Sequence, residues 1–97
     1  MCGKGVVRVL IQSLKMFCDL IDTQSFSKTA ALNDVTQSAV SQQIKSMEKR
    51  QGKPLLERNK RQISLTAEGE IFYRSSREII RRYDEMRSRI EALEGVV

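Results

Sequence analysis

The chain has 97 residues, of which 40% are hydrophobic and 30% are charged, and its formal net charge is +5. A chain of this length forms one small domain at most, because it buries only about two thirds of its unfolded surface. Its composition is typical of a globular protein, and no apolar run approaches the roughly 18 residues of a membrane-spanning helix. The apolar segment near the N-terminus is too short for a signal peptide and no cleavage site follows it, so secretion is not expected.

The cysteine and histidine content argues against metal and redox chemistry. The chain has two cysteines and no histidine. Cys2 and Cys18 lack the spacing of metal ligands, and Cys18 lies among apolar residues, which is typical of a small core residue. No convergent carboxylate pair, phosphate-binding glycine loop or activated thiol is recognisable. We therefore predict a protein of the reducing cytoplasm that is not an enzyme and binds no cofactor or metal.

The positive charge is concentrated in the middle of the chain. Residues 25–65 contain eight basic and three acidic side chains, a net of +5, whereas residues 66–97 contain six basic and seven acidic ones, a net of −1. A surface that binds a polyanion needs such a local excess. The middle segment is therefore the part expected to bind one.

Two helices are predicted at the start of the chain. Apolar residues recur at the spacing i, i+3, i+4, i+7, which indicates an amphipathic helix that begins near Gln12. They are Leu14, Phe17, Cys18 and Ile21. Ser27 is expected to cap a second, short helix over residues 28–32. The sequence NDV at 33–35 then predicts a tight turn, because Asn and Asp tolerate turn geometry.

A third helix is predicted from the N-cap Thr36 to about Gln51, where Gly52 and Pro54 stop it. Its apolar residues fall within a sector of about 60° and are expected to be buried. They are Val40, Ile44 and Met47. The other side carries hydrogen-bonding groups and positive charge, with one acid, Glu48. Its remaining members are Gln37, Ser38, Ser41, Gln42, Lys45 and Lys49.

The segment after the third helix predicts a small wing. Two short apolar runs, 55–56 and 63–65, flank the polar tip RNKRQ, which indicates two short strands joined by a basic turn. Thr66 is then expected to cap a long helix whose first turn carries Glu68 and Glu70, acids that favour the helix dipole.

The last helix has a heptad pattern over three repeats. Its seam residues are Phe72, Ser76, Ile79, Tyr83, Met86, Ile90 and Leu93. From 67 to 93 the helix would be ~40 Å long. Packing within one chain is the alternative, but beyond Ile79 no core is expected to remain, so a second copy is the favoured partner. Tyr73 and Tyr83 are interpreted as apolar fillers rather than as platforms for bases.

Two short helices joined by a tight turn, the second with small polar side chains at its start, form a helix-turn-helix pattern. The second helix of such a pair fits the major groove of DNA, where Gln pairs with adenine and Ser bonds a donor or an acceptor. Cations on the adjacent wing reach phosphates or a narrow minor groove. We therefore predict a mostly α fold: a winged helix-turn-helix, with a three-helix core, a short two-stranded wing and a long C-terminal dimerisation linker helix.

The stretch SFSKTAALNDVTQSAVSQQIKSMEKRQGKPLLERNKRQISLTAEGE resembles the N-terminal winged helix-turn-helix domain of LysR-type transcriptional regulators, and LKMFCDLIDTQ resembles that family's first helix. The resemblance runs from about Ile11 to Leu93. Family-like spacing is kept by Ala30, Ala31, Thr36, Gln37, Ala39, Val40, Ser41, Gln43, Ile44, Gly52, Pro54, Leu55, Glu57, Arg58, Leu65, Thr66 and Gly69.

This resemblance implies a bacterial transcription regulator that binds a dyad-symmetric double-stranded DNA operator as a homodimer, with tetramers in a longer form. The residues implied to face bases are Gln37, Ser38, Ser41 and Gln42. Those implied to reach phosphates, directly or from the wing, are Ser27, Lys28, Thr36, Lys45, Arg58, Lys60 and Arg61. The linker seam implies a dimer interface of Ile79, Tyr83, Met86, Ile90 and Leu93.

The sequence departs from the family pattern at four positions. Gln24 stands where Gly is common, Thr29 and Glu68 where Ala is common, and Ser38 where Pro is common. The expected division is an N-terminal extension without order (1–10), the DNA-binding domain (11–66) and the linker helix (67–94). The effector-binding domain that normally follows in the family is absent, so we expect a truncated fragment; a natural regulator without ligand control is the alternative. A small-molecule effector is expected only if such a domain exists.

Other interpretations stay open at this stage. Polar residues and lysines on a helix face are often merely solvated. The same fold could serve as a protein-interaction module without specific DNA recognition. RNA binding usually depends on exposed aromatic residues, and the basic segment 28–61 contains none.

Overall fold

The computed structural model describes residues 3–57 and 61–95, and this part of the chain contains four helices and a two-stranded sheet. The helices are α1 (Gly3–Thr23), α2 (Phe26–Asn33), α3 (Gln37–Gln51) and α4 (Ala67–Gly95), and the antiparallel strands β1 (Leu56–Glu57) and β2 (Ser64–Leu65) lie between α3 and α4. This order confirms the predicted mostly helical fold with its wing and long final helix. None of the helices within the described ranges is both long and apolar enough to cross a membrane.

α1 is longer than predicted, because it begins at Gly3 rather than near Gln12. Residues 3–10, which were expected to be an extension without order, continue the helix. The only proline of the chain is Pro54, so no proline ring interrupts the helix before Gln12. Apolar spacing reports which residues are buried and not where a helix begins, so it indicated only the part of α1 that packs on the core.

α2 is capped by Ser25 and not by the predicted Ser27. The backbone of Ser25 is extended, and its Oγ accepts a hydrogen bond from the N–H of Lys28 at 3.0 Å. Both serines are suitable caps, and the end of α1 decides between them: Gln24 has a left-handed φ of 58°, so the new helix begins directly after Ser25. Ser27 lies exposed in the first turn. At the other end, Asp34 has a left-handed φ of 57°, which confirms the predicted turn.

α3 has the predicted bounds and buried face. The Oγ1 of Thr36 accepts a hydrogen bond from the N–H of Ala39 at 3.1 Å, and Gly52 ends the helix with a φ of 72°. Val40, Ile44 and Met47 are all buried, as their common sector predicted.

The core lies between α1, α3 and the first turns of α4. Phe17 is fully buried and packs edge to face on Phe72, with ring centroids 5.1 Å apart. Cys18 is a buried core residue, as predicted. Burial raises the pKa of its thiol to about 11, so the thiol stays protonated and unreactive at neutral pH.

A hydroxyl takes part in the core where the family often has Ala. Thr29 is fully buried, and its Oγ1 donates a hydrogen bond to the carbonyl oxygen of Ser25 at 2.7 Å. The Oγ1 of Thr23 lies 3.1 Å away. Because its hydrogen bonds are satisfied, the polar group is accommodated between α1 and α2 without a desolvation penalty.

The wing is a two-stranded antiparallel sheet, as predicted, in which Leu56 pairs with Leu65 and Glu57 with Ser64. Thr66 caps α4 through a hydrogen bond from the N–H of Gly69 to its Oγ1 at 2.9 Å. A Cβ on Gly69 would lie 2.0 Å from the carbonyl oxygen of Leu55, so only glycine fits where α4 starts beneath the wing. The wing tip, including Arg58 and Lys60, lies outside the described residues.

α4 is fastened to α1 by a polar cluster on Asp22. The hydroxyl of Tyr73 donates a hydrogen bond to one carboxylate oxygen at 2.5 Å, and Arg77 pairs with the other at 3.1 Å. The hydrogen bond to Asp22 raises the pKa of Tyr73. Tyr73 is therefore not only the apolar filler that was predicted, since its ring packs against the core while its hydroxyl binds α1.

Candidate nucleic-acid interface

The outward face of α3 carries the predicted base-reading residues. Gln37, Ser38 and Gln42 are exposed, and Ser41 is half-buried. Thr36 caps the helix just before them, so the face begins at the helix N-terminus. None of these four side chains has a hydrogen-bond partner within residues 3–57 and 61–95, so their donors and acceptors are available to a ligand.

A neighbouring glutamine differs from these four residues, because its side chain is already hydrogen-bonded within the domain. Gln43 is half-buried, and its Oε1 accepts a hydrogen bond from the Oγ of the buried Ser13 at 2.7 Å. This bond ties α3 to α1 and occupies the side chain. The fold therefore separates a glutamine that orients the helix from Gln37 and Gln42, which face outward.

Glu48 lies on the outward side of α3, as the helical spacing predicted, but its carboxylate is bound at the base of the wing. Its Oε2 accepts hydrogen bonds from the backbone N–H groups of Leu55 at 2.8 Å and Leu56 at 3.1 Å. The carboxylate is thus directed to the base of the wing. Spacing along α3 could not reveal this, because both partners lie beyond the end of the helix.

The residues predicted to reach phosphates are exposed wherever the structure describes them. Ser27 and Lys28 lie in the first turn of α2, Thr36 at the cap of α3, and Lys45 in the middle of α3. The Thr36 oxygen accepts from a backbone N–H, and its own hydroxyl hydrogen stays available as a donor. Arg61 is exposed on the wing, whereas Arg58 and Lys60 are outside the described residues.

The wing base is held by a residue that sequence reasoning did not assign to the site. The Nε2 of Gln24 donates hydrogen bonds to the carbonyl oxygens of Ile63 at 2.8 Å and Ile21 at 3.2 Å. The available signal was its departure from the glycine common in the family, since the backbone here is left-handed. The side chain of Gln24 connects the α1–α2 junction to the strand side of the wing.

Ion pairing between described residues differs between the basic segment 25–65 and the helices α1 and α4. The ion pairs between described residues all lie on α1 and α4, such as Arg87 with Glu91 at 3.7 Å. The described cations of the middle segment are exposed and have no such acid within the described ranges. They are Lys28, Lys45, Lys49, Arg50, Lys53 and Arg61. Their charge is therefore left to attract an external anion.

The distal seam of α4 is a second exposed surface. Its apolar residues have exposed fractions of 44% for Ile79, 38% for Tyr83, 47% for Met86, 51% for Ile90 and 75% for Leu93. Every residue from 81 to 94 is exposed. A stripe of this kind, sustained at heptad spacing, is typical of a helix that pairs with another helix.

Residues 11–70, more than half of the chain, match the sequence family described as "Bacterial regulatory helix-turn-helix protein, lysR family". The chain belongs to the LysR family. The matched residues include the three-helix core, the wing and the first turn of α4, so this LysR-family chain contains the DNA-binding domain that the geometry had indicated.

Individual relatives agree with this membership. The chain is 36% identical over 75 residues to the uncharacterized HTH-type transcriptional regulator YbhD of Escherichia coli (strain K12), covering 77% of this chain and 24% of that protein. It is 31% identical over 86 residues to the HTH-type transcriptional regulator BenM of Acinetobacter baylyi, covering 89% and 28% respectively. The chain thus spans about a quarter of the length of these curated relatives.

Two solved structures with DNA are similar to this one. The crystal structure of a BenM_DBD/catB site 1 DNA complex superposes with a TM-score of 0.80 at 31% identity, covering 87% of this chain and 93% of that chain. Vibrio fischeri DarR in complex with DNA superposes with a TM-score of 0.78 at 30% identity, covering 89% and 30%. Both similarities extend beyond residue 70, because each covers at least 87% of the chain, whereas residues 1–70 make up less than three quarters of it.

Proposed function

We propose that this chain binds double-stranded DNA in a sequence-specific manner as a homodimer, as the DNA-binding part of a transcription regulator. The observation that carries the proposal is the outward face of α3, where four polar side chains have no hydrogen-bond partner among the described residues. The relatives named as transcriptional regulators and the solved structures with DNA support the same function.

In this proposal the bases are contacted by Gln37, Ser38, Ser41 and Gln42. An α-helix fits the major groove, and its N-terminal residues contact base edges. Gln37 and Gln42 each offer the donor and acceptor that pair with adenine, and the small Ser38 and Ser41 allow close approach and bond either type of group.

In this proposal the phosphates are bound by residues around the outward face of α3. Lys45 supplies a charge beside it, and the first turn of α2 supplies Ser27 and Lys28. The Thr36 hydroxyl is a further donor, and Arg58, Lys60 and Arg61 supply the charge of the wing. Phosphate contacts of this kind fix the position and orientation of the protein on the duplex without reading sequence.

The exposed seam of α4 forms the dimer interface in this proposal, through Ile79, Tyr83, Met86, Ile90 and Leu93. Two copies related by a twofold axis bury the same stripe on each other, and an antiparallel pair of α4 helices would set the two domains apart. The DNA site of such a dimer has dyad symmetry, because each half-site meets the same helix. Tetramers and a small-molecule effector would belong to a longer form of the protein.

The proposal includes a location in the cytoplasm, because bacterial DNA is there. It also includes a role without catalysis. The relatives are transcription regulators, and the buried thiol of Cys18, with its pKa raised to about 11, is unsuited as a nucleophile.

Selection from a random pool of duplex DNA at near-physiological salt tests the function. We expect an enriched motif with dyad symmetry, and a Gln37→Ala variant selected in parallel should lose preference at one base per half-site. If a folded, dimeric protein enriches no motif, specific DNA recognition is rejected, and a protein-interaction module becomes the better assignment.

A further inference from the structure

The position of Glu48 on α3 raises an electrostatic question. Residues 37, 41 and 48 are spaced by four and seven, so they lie on one side of the helix. DNA carries a phosphate charge on every nucleotide, and a carboxylate near it lowers affinity. Glu48 lies on the stripe of two proposed base-reading residues, so the contacts that hold its carboxylate decide how it affects DNA binding.

The carboxylate of Glu48 bridges α3 to the base of the wing. Its Oε2 accepts from the N–H of Leu55 at 2.8 Å and from the N–H of Leu56 at 3.1 Å. Leu56 is the first residue of β1 and pairs with Leu65. On its other side the carbonyl oxygen of Leu55 accepts from the N–H of Thr66 at 3.0 Å, so the start of β1 is held both by α3 and by the start of α4.

The wing needs such anchors because it is small. Its two strands have only two residues each. An isolated two-stranded hairpin is marginally stable in water. Backbone N–H groups bonded to a carboxylate form charge-assisted hydrogen bonds, which are shorter and stronger than neutral ones. Glu48 therefore anchors the β1 side of the wing, and Gln24 anchors the β2 side through Ile63.

We propose that Glu48 is a positioning residue for DNA binding, which holds the wing at a fixed orientation to α3 so that both contact one duplex at once. Glu48 does not contact DNA itself in this arrangement. It acts through the wing cations, of which Arg61 is the one that the structure describes. The inference rests on the proposed DNA binding and adds the residue that couples its two contact surfaces.

Two substitutions at this position separate geometry from charge. Glu48→Asp keeps the charge but withdraws the carboxylate by one methylene, and Glu48→Gln keeps the reach and an oxygen that can accept both bonds. We expect E48D to bind a selected operator about tenfold more weakly, with the slope of log affinity against log salt smaller by about 0.9 for each lost phosphate contact. E48Q should bind more tightly than E48D, because its oxygen still reaches both N–H groups, although the bonds are weaker without the charge. The opposite ranking of the two variants would overturn the proposal.

A double-variant cycle tests whether Glu48 acts through the wing. Arg61→Ala should weaken binding in the parent but much less in E48D, since a misplaced wing has already lost this contact. If the losses of binding free energy from E48D and Arg61→Ala add in full in the double variant, Glu48 and the wing act separately. Glu68→Asp and Glu68→Gln are the matched controls, because Glu68 is an exposed acid in the first turn of α4. Neither should change the effect of Arg61→Ala.

Amide hydrogen exchange without DNA tests the anchor independently of the proposed function. In E48D the Leu55 and Leu56 amides should exchange faster than in the parent, while core amides such as that of Ile44 stay protected. If both amides exchange in E48D at the rate of the parent, Glu48 does not anchor the wing. If instead the parent enriches no DNA motif, the proposed function is rejected. If E48D does not fold, E48Q decides: binding that is kept or lost together with the protection of the Leu55 and Leu56 amides retains the proposal. Binding that weakens while both amides stay protected, or that persists while both exchange fast, rejects it.

Discussion

The two halves of α4 share one heptad pattern but differ in what covers it. In the first half, Phe72 packs on Phe17, and Ser76 is only 2% exposed. In the second half, Ile90 and Leu93 are 51% and 75% exposed. The heptad spacing of the seam does not change between them, so the difference comes from the domain, which lies against the first half alone. An apolar stripe thus predicts that a surface will be covered, whereas its neighbours decide whether the same chain covers it.

α3 and α4 differ in a similar way in their polar residues. Several charged side chains on α4 pair with charges about one turn away on the same helix, as Arg74 does with Glu70 at 3.6 Å. Such exposed pairs contribute only about 0.3–0.5 kcal/mol each, but they occupy the charges. The outward face of α3 has no such pairs among the described residues, so its side chains stay available to a ligand.

The largest expected effect is a difference in the free energy of unfolding between a substitution in the core and one in the distal seam of α4. Phe17→Ala should lower the free energy of unfolding by about 3–5 kcal/mol, because it leaves a cavity under Phe72. Ile90→Ala should lower that of the isolated domain by less than about 0.5 kcal/mol, because its side chain is half exposed. Urea unfolding at a concentration below the dimer dissociation constant measures both. Equal losses would place the distal half of α4 in the core of the same chain.

The next effect concerns the partner of the distal seam. Ile90→Asp should weaken the proposed dimer about 100-fold or more, roughly 2.7 kcal/mol, because association would bury a charge without a partner. Ser88→Asp introduces the same charge two residues away, off the seam, and should leave the dimer nearly intact. Sedimentation across a concentration series measures both constants. A dimer that tolerates the seam variant as well as its control has its interface elsewhere.

A smaller effect distinguishes reading from positioning on α3. Gln37→Ala should cost about 1–3 kcal/mol against the preferred base at one position of each half-site and relax specificity there. Lys45→Ala should weaken binding to all duplexes and reduce the salt slope by about 0.9. Titrations of matched and single-mismatch duplexes at several salt concentrations separate the two. Uniform losses from both variants would contradict the division of roles.

The smallest expected effect lies at Gln24, whose φ is 58°. Gln24→Ala loses the hydrogen bond to Ile63 and keeps a left-handed backbone, so it should lower the free energy of unfolding by about 1 kcal/mol. Gln24→Gly loses the same bond but removes strain of about 1 kcal/mol, so it should be nearly neutral. Thermal unfolding compares the pair. If the glycine variant were the less stable of the two, strain at this backbone would not be a significant factor.

Local signals predicted most of the fold. The bounds of α3 followed from Thr36 and Gly52, and the start of α4 from Thr66, because a cap and its partners lie within one turn of the chain. The same logic failed at α2, where Ser25 and Ser27 were equivalent caps and the end of α1 chose Ser25. It failed at α1 as well, since periodicity marks the buried part of a helix and the segment before Gln12 contains no signal that stops it.

The sequence by itself determined the class of fold, the family and the candidate residues of α3, because periodicity, caps and charge are properties of neighbours along the chain. Only the tertiary structure decided which side chains of that set are available. Glu48 meets backbone N–H groups beyond the end of its helix, and Gln24 meets a carbonyl oxygen 39 residues away. The direction of such a side chain depends on contacts between elements, and spacing within one element contains no information about them.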